Sequence, residues 1–98
     1  MNRYFKLLIV GAAVTSACAS IPTQEMSDAR QAVQAARDSG AEVYATQELN
    51  QAVELLNKAK GALAEDAYEQ ARSAAVEAKQ AAIKARSKSL MQLPPQNP

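Results

Sequence analysis

Few side chains in this 98-residue chain are of types that do chemistry. Cysteine occurs once, as Cys18, and histidine not at all. Glu65, Asp66 and Glu69 make the one tight acidic cluster, and Lys79, Lys84, Arg86 and Lys88 follow Glu77 with no further acid in the chain. The acidic trio can be read as a cation site or an acid/base pair. A calcium loop, however, uses about six oxygen ligands and a glycine at its sharp turn. The trio also suits a helix start, where unpaired amides favour negative charge and Asp66 with Glu69 has the spacing of a capping box. The basic run likewise has two readings. It complements the negative C-terminal end of a helix, or it is a patch for anionic lipid or the glycan wall, although four charges are few for surface recruitment. One thiol without imidazole makes no soft ligand set for zinc and closes no intramolecular disulfide. There is no glycine-rich phosphate loop and no Ser-x-x-Lys placed on a capped helix beside a pocket, so an enzyme is the poorest reading and neither metal nor cofactor is expected.

The surroundings of Cys18 give it a different role. Arg3 and Lys6 head an apolar run, Leu7-Leu8-Ile9-Val10-Gly11-Ala12-Ala13-Val14, which is the layout of a secretory signal peptide. A spanning helix needs roughly 20 apolar residues, and Thr15 and Ser16 interrupt this run early. Residues 1–17 therefore read as an export signal. Thr15-Ser16-Ala17-Cys18 resembles a bacterial lipobox, with Thr15 where that motif favours an aliphatic residue. The resemblance implies that Cys18 receives a diacylglyceryl group, becomes the first residue after cleavage, and is then acylated on its amine by a fatty acid such as palmitate. Ala19-Ser20 in place of an aspartate implies sorting to the outer membrane. A buried structural cysteine is the competing reading.

Removal of residues 1–17 leaves 81 residues and takes away Arg3 and Lys6, so 9 basic residues face 10 acidic ones and the formal charge moves from +1 to −1. Nothing in that balance suggests nucleic acid. Much of the 48% hydrophobic content is alanine or belongs to the signal. Large apolar residues, among them Met26, Val33, Leu49, Leu56, Val76, Ile83, Leu90 and Met91, are thin for a domain of this size. Alanine contributes helix propensity and lets helix backbones approach closely.

One pattern recurs three times: Ala29-x-x-Ala32-Val33-x-x-Ala36-Arg37, Ala52-x-x-Leu55-Leu56-x-x-Ala59-Lys60 and Ala71-x-x-Ala74-Ala75-x-x-Ala78-Lys79. Apolar positions at i, i+3, i+4 and i+7 define one helical face, so three amphipathic helices are expected at about 24–39, 46–64 and 67–89. Pro22-Thr23 offers the first helix a cap, Gly40 suits its left-handed C-terminal end, and a link through Val43 and Tyr44 leads to the second. Asp66 to Glu69 opens the third. The expected division is signal 1–17, lipidated tether 18–22, helical domain 23–90 and a proline-rich disordered tail 91–98. The expected fold is all-α: a small three-helix bundle, or an antiparallel hairpin plus a preceding helix, with tetratricopeptide-like packing. Tyr44 and Tyr68 are expected to close the ends of the bundle, and Met26 and Met91 to fill gaps in it.

The run from Glu42 to Arg86, with the Tyr44 link, Leu49, Ala52, Ala59, the Asp66-Ala67-Tyr68 turn and the Ala71, Ala78, Ala85 series, resembles the domain-of-unknown-function 4398 (DUF4398) family. These are small alanine-rich bacterial lipoproteins and envelope domains, sometimes joined to an OmpA-like peptidoglycan-binding module. Members commonly have proline where this chain has Thr46, and glycine where it has Asp66. No OmpA-like module follows the helices, so peptidoglycan contact is not carried over.

The leading expectation is a non-enzymatic outer-membrane lipoprotein, anchored in lipid through Cys18, whose periplasmic helical domain serves as a structural or adaptor element for an envelope protein partner. Two others stand beside it. One is an alanine-zipper coiled coil in which residues 42–90 form one long helix that oligomerises, and the other is a chaperone-like binder of envelope proteins.

Overall fold

A computed structural model describes residues 20–92. The signal, Cys18 and residues 93–98 lie outside the described residues. Four helices follow one another: α1 (Thr23–Asp38), the single turn α2 (Ala41–Tyr44), α3 (Thr46–Ala64) and α4 (Tyr68–Gln92), with no strand among the described residues. They form a small all-α bundle. The longest helix, α4, packs along both α1 and α3, which touch each other much less.

Ion pairs between helices fix their directions. Glu25 and Asp28 of α1 pair with Arg72 and Lys79 of α4, so residue numbers rise together and the two helices run parallel. Glu48 in the first turn of α3 pairs with Lys88 near the end of α4, so those two run antiparallel. The chain goes up, down and up, turning back at Glu65-Asp66 instead of continuing as one rod.

Alanine rather than bulk fills the seams. α1 buries Met26, Ala29, Val33 and Ala36, and α3 buries Leu49, Ala52, Leu56 and Ala59, each a single face at helical spacing. With a neighbour on two sides, α4 buries a wider stripe, and that stripe is small throughout: Ala71, Ala74, Ala75, Ala78, Ala82, Ala85 and Ser89. Large residues of the outer helices thus meet small ones of the shared helix, which is how facing layers reach native packing density. Ser89 belongs with the alanines because its hydroxyl donates to the Ala85 carbonyl at 2.9 Å, satisfying its polarity within the helix.

The same geometry corrects the expected core. Val76, Ile83 and Leu90 each lie one position beyond Ala75, Ala82 and Ser89, about 100° further round a helix of 3.6 residues per turn. They are 40%, 50% and 49% exposed. Met91 lies further round still, at 82% exposed, and fills no gap, whereas Met26 is buried as expected.

Helix ends depart from expectation at four points. Pro22, not Thr23, occupies the N-cap place: it is buried and its carbonyl accepts the Met26 N–H at 3.0 Å, while Thr23 is already helical and makes no side-chain cap. The link after Gly40 is itself a helical turn, α2. Glu65 and Asp66 close α3 instead of Asp66 capping α4. Asp66 has φ 59, its N–H donates to Leu63 O at 3.0 Å, and Ala67 N–H donates to Ala62 O at 2.9 Å, the bonding pattern of a Schellman motif. Finally, α4 continues to Gln92, so residues 91 and 92 are helix and not tail. Gly40 does take the left-handed position after α1, with φ 87.

Candidate functional site

The acidic trio is a turn. Asp66 Oδ1 accepts the Tyr68 hydroxyl at 3.3 Å, and the carboxylate beside it holds the Tyr68 phenol above its ordinary pKa. Glu69 reaches the Arg72 guanidinium at 3.8 Å. Among the described residues no group of three or more acidic or thiol side chains is gathered as a metal site. Tyr68 marks this end of the bundle and Tyr44 the other. The Tyr44 ring lies close under Gly40, where an added Cβ would sit 3.2 Å from its Cδ2.

Among the described residues Arg72 is the most connected side chain. Its Nη1 donates to Glu25 Oε2 at 3.0 Å, and its Nη2 donates to the Ser20 carbonyl at 2.8 Å and the Ser20 hydroxyl at 3.1 Å. A planar guanidinium with donors in a fixed fork holds these three acceptors from two separate nitrogens at set directions, whereas a lysine ammonium would have to gather them around one point. The segment expected to be a tether is therefore docked at Ser20 and at buried Pro22, and only Ala19 separates Ser20 from Cys18. Cys18 itself lies outside the described residues.

The outward face of α4 is the other distinctive surface. Val76, Ile83 and Leu90 fall on one line at seven-residue spacing. A groove of about 320 Å³ between α1 and α4 is lined by Glu25, Asp28, Val76, Lys79, Gln80 and Ile83. A second, of about 330 Å³, opens between α3 and α4 with Leu55, Glu77, Gln80 and Lys84 in its walls. Glu25 and Asp28 are already matched by Arg72 and Lys79, the latter at 3.9 Å. Lys88 is matched by Glu48 at 3.0 Å. That hydrogen bond, helped by the Glu48 backbone N–H, holds the Glu48 carboxyl below its ordinary 4.5. Lys84 and Arg86 have no carboxylate within ion-pair distance among the described residues.

Sequence reasoning found the basic run but not the apolar line inside it. The signal was present in the sequence: once alanines at 75, 78, 82 and 85 are taken as the seam, large residues at 76, 83 and 90 must point elsewhere. Arg72 was missed because its partners, Ser20 and Glu25, are remote in sequence.

Among the described residues no helix is long and apolar enough to cross a membrane. Residues 24–91 match the profile of the domain of unknown function DUF4398, and the chain belongs to that family. No curated protein and no solved structure matches it.

Proposed function

We propose that this member of the DUF4398 family is a non-enzymatic lipoprotein of the bacterial outer membrane, held by acyl chains on Cys18, with its helical bundle in the periplasm as a structural or adaptor element. The observation that carries the reading is the Arg72 clamp on Ser20. A lipid on Cys18 would be joined to a folded body by Ala19 alone, so the anchor would position the bundle and not merely retain it. The arrangement of residues 1–17 as an export signal, ending in small residues before Cys18, supports the anchor. The nature of the bundle supports contact over chemistry: its seams are alanine, and the carboxylates lining its α1–α4 groove are matched by cations.

Each buried methylene contributes about 0.8 kcal/mol to membrane binding and stable anchoring takes more than one chain, so multiple acylation at Cys18 holds the protein firmly. Metabolic labelling with a fatty acid tests this. Wild type carries label and sediments with outer membranes, while Cys18→Ser accumulates as an unlabelled precursor. Label persisting in the serine variant, or none in wild type, sinks the anchor. The coiled-coil alternative invokes one helix over residues 42–90, which the turn at Glu65-Asp66 divides.

A further inference from the structure

We infer that the outward face of α4 is a docking seam for an acidic amphipathic helix of another protein. Val76, Ile83 and Leu90, each close to half exposed, supply one of the two contact positions in each heptad, with Ser73, Gln80 and Ser87 at the other. From Val76 to Leu90 the seam runs about 21 Å at 1.5 Å per residue, three turns of a partner. Grooves of about 320 and 330 Å³ flank it on either side of Gln80, giving the partner's side chains room to settle.

Charge selects the occupant. From Val76 to Leu90 the helix carries Lys79, Lys84, Arg86 and Lys88 against one acid, Glu77, which stands at the start of the seam. Lys79 and Lys88 already face Asp28 and Glu48, which leaves Lys84 on one flank and Arg86 on the other to meet a partner's carboxylates. A second copy fits poorly. It brings the same unmatched Lys84 and Arg86, and the one carboxylate it offers from Val76 to Leu90 is Glu77, at the far end of the seam from both. A lipid surface also fits poorly, because the apolar line is one residue wide, bordered by Ser73, Gln80 and Ser87, whereas interfacial helices present a broad apolar face.

The inference deepens the adaptor reading and rests on it for its purpose, yet its test does not need the anchor. The full chain carrying Cys18→Ser and a bimane fluorophore on Ser87→Cys, in mild detergent, is titrated with two synthetic amphipathic helices. Both have leucine at heptad a and d positions, one with flanking glutamates and the other with flanking lysines. The expected result is a blue shift with the glutamate helix, at least about tenfold weaker binding of the lysine helix, and weakening by salt, as exposed charge pairs require. Ile83→Asp should abolish the shift, and the double variant Lys84→Glu, Arg86→Glu, which leaves the buried seam alone, should reverse the preference between peptides. Equal response to both peptides, no response, a shift that grows with the protein's own concentration, or a shift when phosphatidylglycerol is added to the micelles in place of the glutamate helix would each overturn the proposal. Failure of fatty-acid labelling at Cys18 would remove the anchor and leave this result standing.

Discussion

Arg72 and Ser20, 52 positions apart in sequence, are joined by two hydrogen bonds from one guanidinium nitrogen, 2.8 Å to the carbonyl and 3.1 Å to the hydroxyl. The same side chain holds Glu25 in the first turn of α1. Arg72→Met keeps much of the stem's packing and removes all three bonds. Because the pair is partly exposed, the loss of global stability should be only about 1 kcal/mol. The local effect should be larger: the amides of Ser20, Ile21 and Thr23 should exchange faster, the last because it donates to the Ile21 carbonyl at 2.8 Å, and limited proteolysis should reach the segment before α1. Unchanged exchange at Ser20 and Ile21 would show that the clamp does not order the segment.

Two turns depend on left-handed backbone. Gly40→Ala places a Cβ at φ 87 and within 3.2 Å of the Tyr44 ring, so a loss of about 1–2 kcal/mol is expected in thermal or urea unfolding. At Asp66, φ 59 is tolerated by a short polar side chain and best suited to glycine. Asp66→Gly should therefore be neutral or stabilising by up to about 1 kcal/mol, and Asp66→Val destabilising by about 1–2 kcal/mol. If Asp66 acted instead as a helix N-cap, both substitutions would destabilise.

Core and surface respond in the opposite order to side-chain size. Ala78 is fully buried where α4 meets its neighbours, so Ala78→Leu overpacks the seam and should cost about 1–3 kcal/mol. For a domain of this size that lowers the melting temperature by roughly 4–8 °C per kcal/mol. Ile83→Ser, on the exposed face, should change stability by less than about 1 kcal/mol. Calorimetry of the pair decides between an alanine seam and a core built from the larger residues.

Those residues mark where the sequence was legible. Alanine at i, i+3, i+4 and i+7 defined helical faces, and Gly40 defined an end, because both are local properties. Coverage is not local. Counting Val76, Ile83 and Leu90 as core assumed that large apolar residues go inside, but α4 must admit two neighbours at close approach, and only its small positions allow that. Residue type and spacing suggest a cap at Asp66, but a left-handed helix end shares both. The α2 turn looks like a link in sequence because four residues carry no periodicity.

The fold-back has a direct distance test. Asn50 and Arg86 are exposed on the antiparallel helices α3 and α4. In a continuous helix they would lie about 54 Å apart at 1.5 Å per residue, whereas packed helices bring backbones to roughly 10 Å. Nitroxides at Asn50→Cys and Arg86→Cys, in a Cys18→Ser background and diluted with unlabelled protein, should report the short distance. A dominant long distance would mean a rod.

Acid should loosen the far end of the same helix pair first. Glu48 is held below its ordinary 4.5 chiefly by the Lys88 ammonium at 3.0 Å. A carboxyl whose folded pKa is depressed contributes stability that is present above the unfolded value and lost as pH falls through the folded one. Melting temperature should therefore fall as pH drops below about 4.5, when protonation dissolves the pair. Lys88→Met removes the partner, so its folded Glu48 should titrate near the ordinary value and its stability should depend less on pH over that window. Wild type and variant should differ at pH 7 and converge as the pH falls below the depressed folded value of Glu48. Parallel curves across the range would show that Lys88 and Glu48 are not coupled in solution.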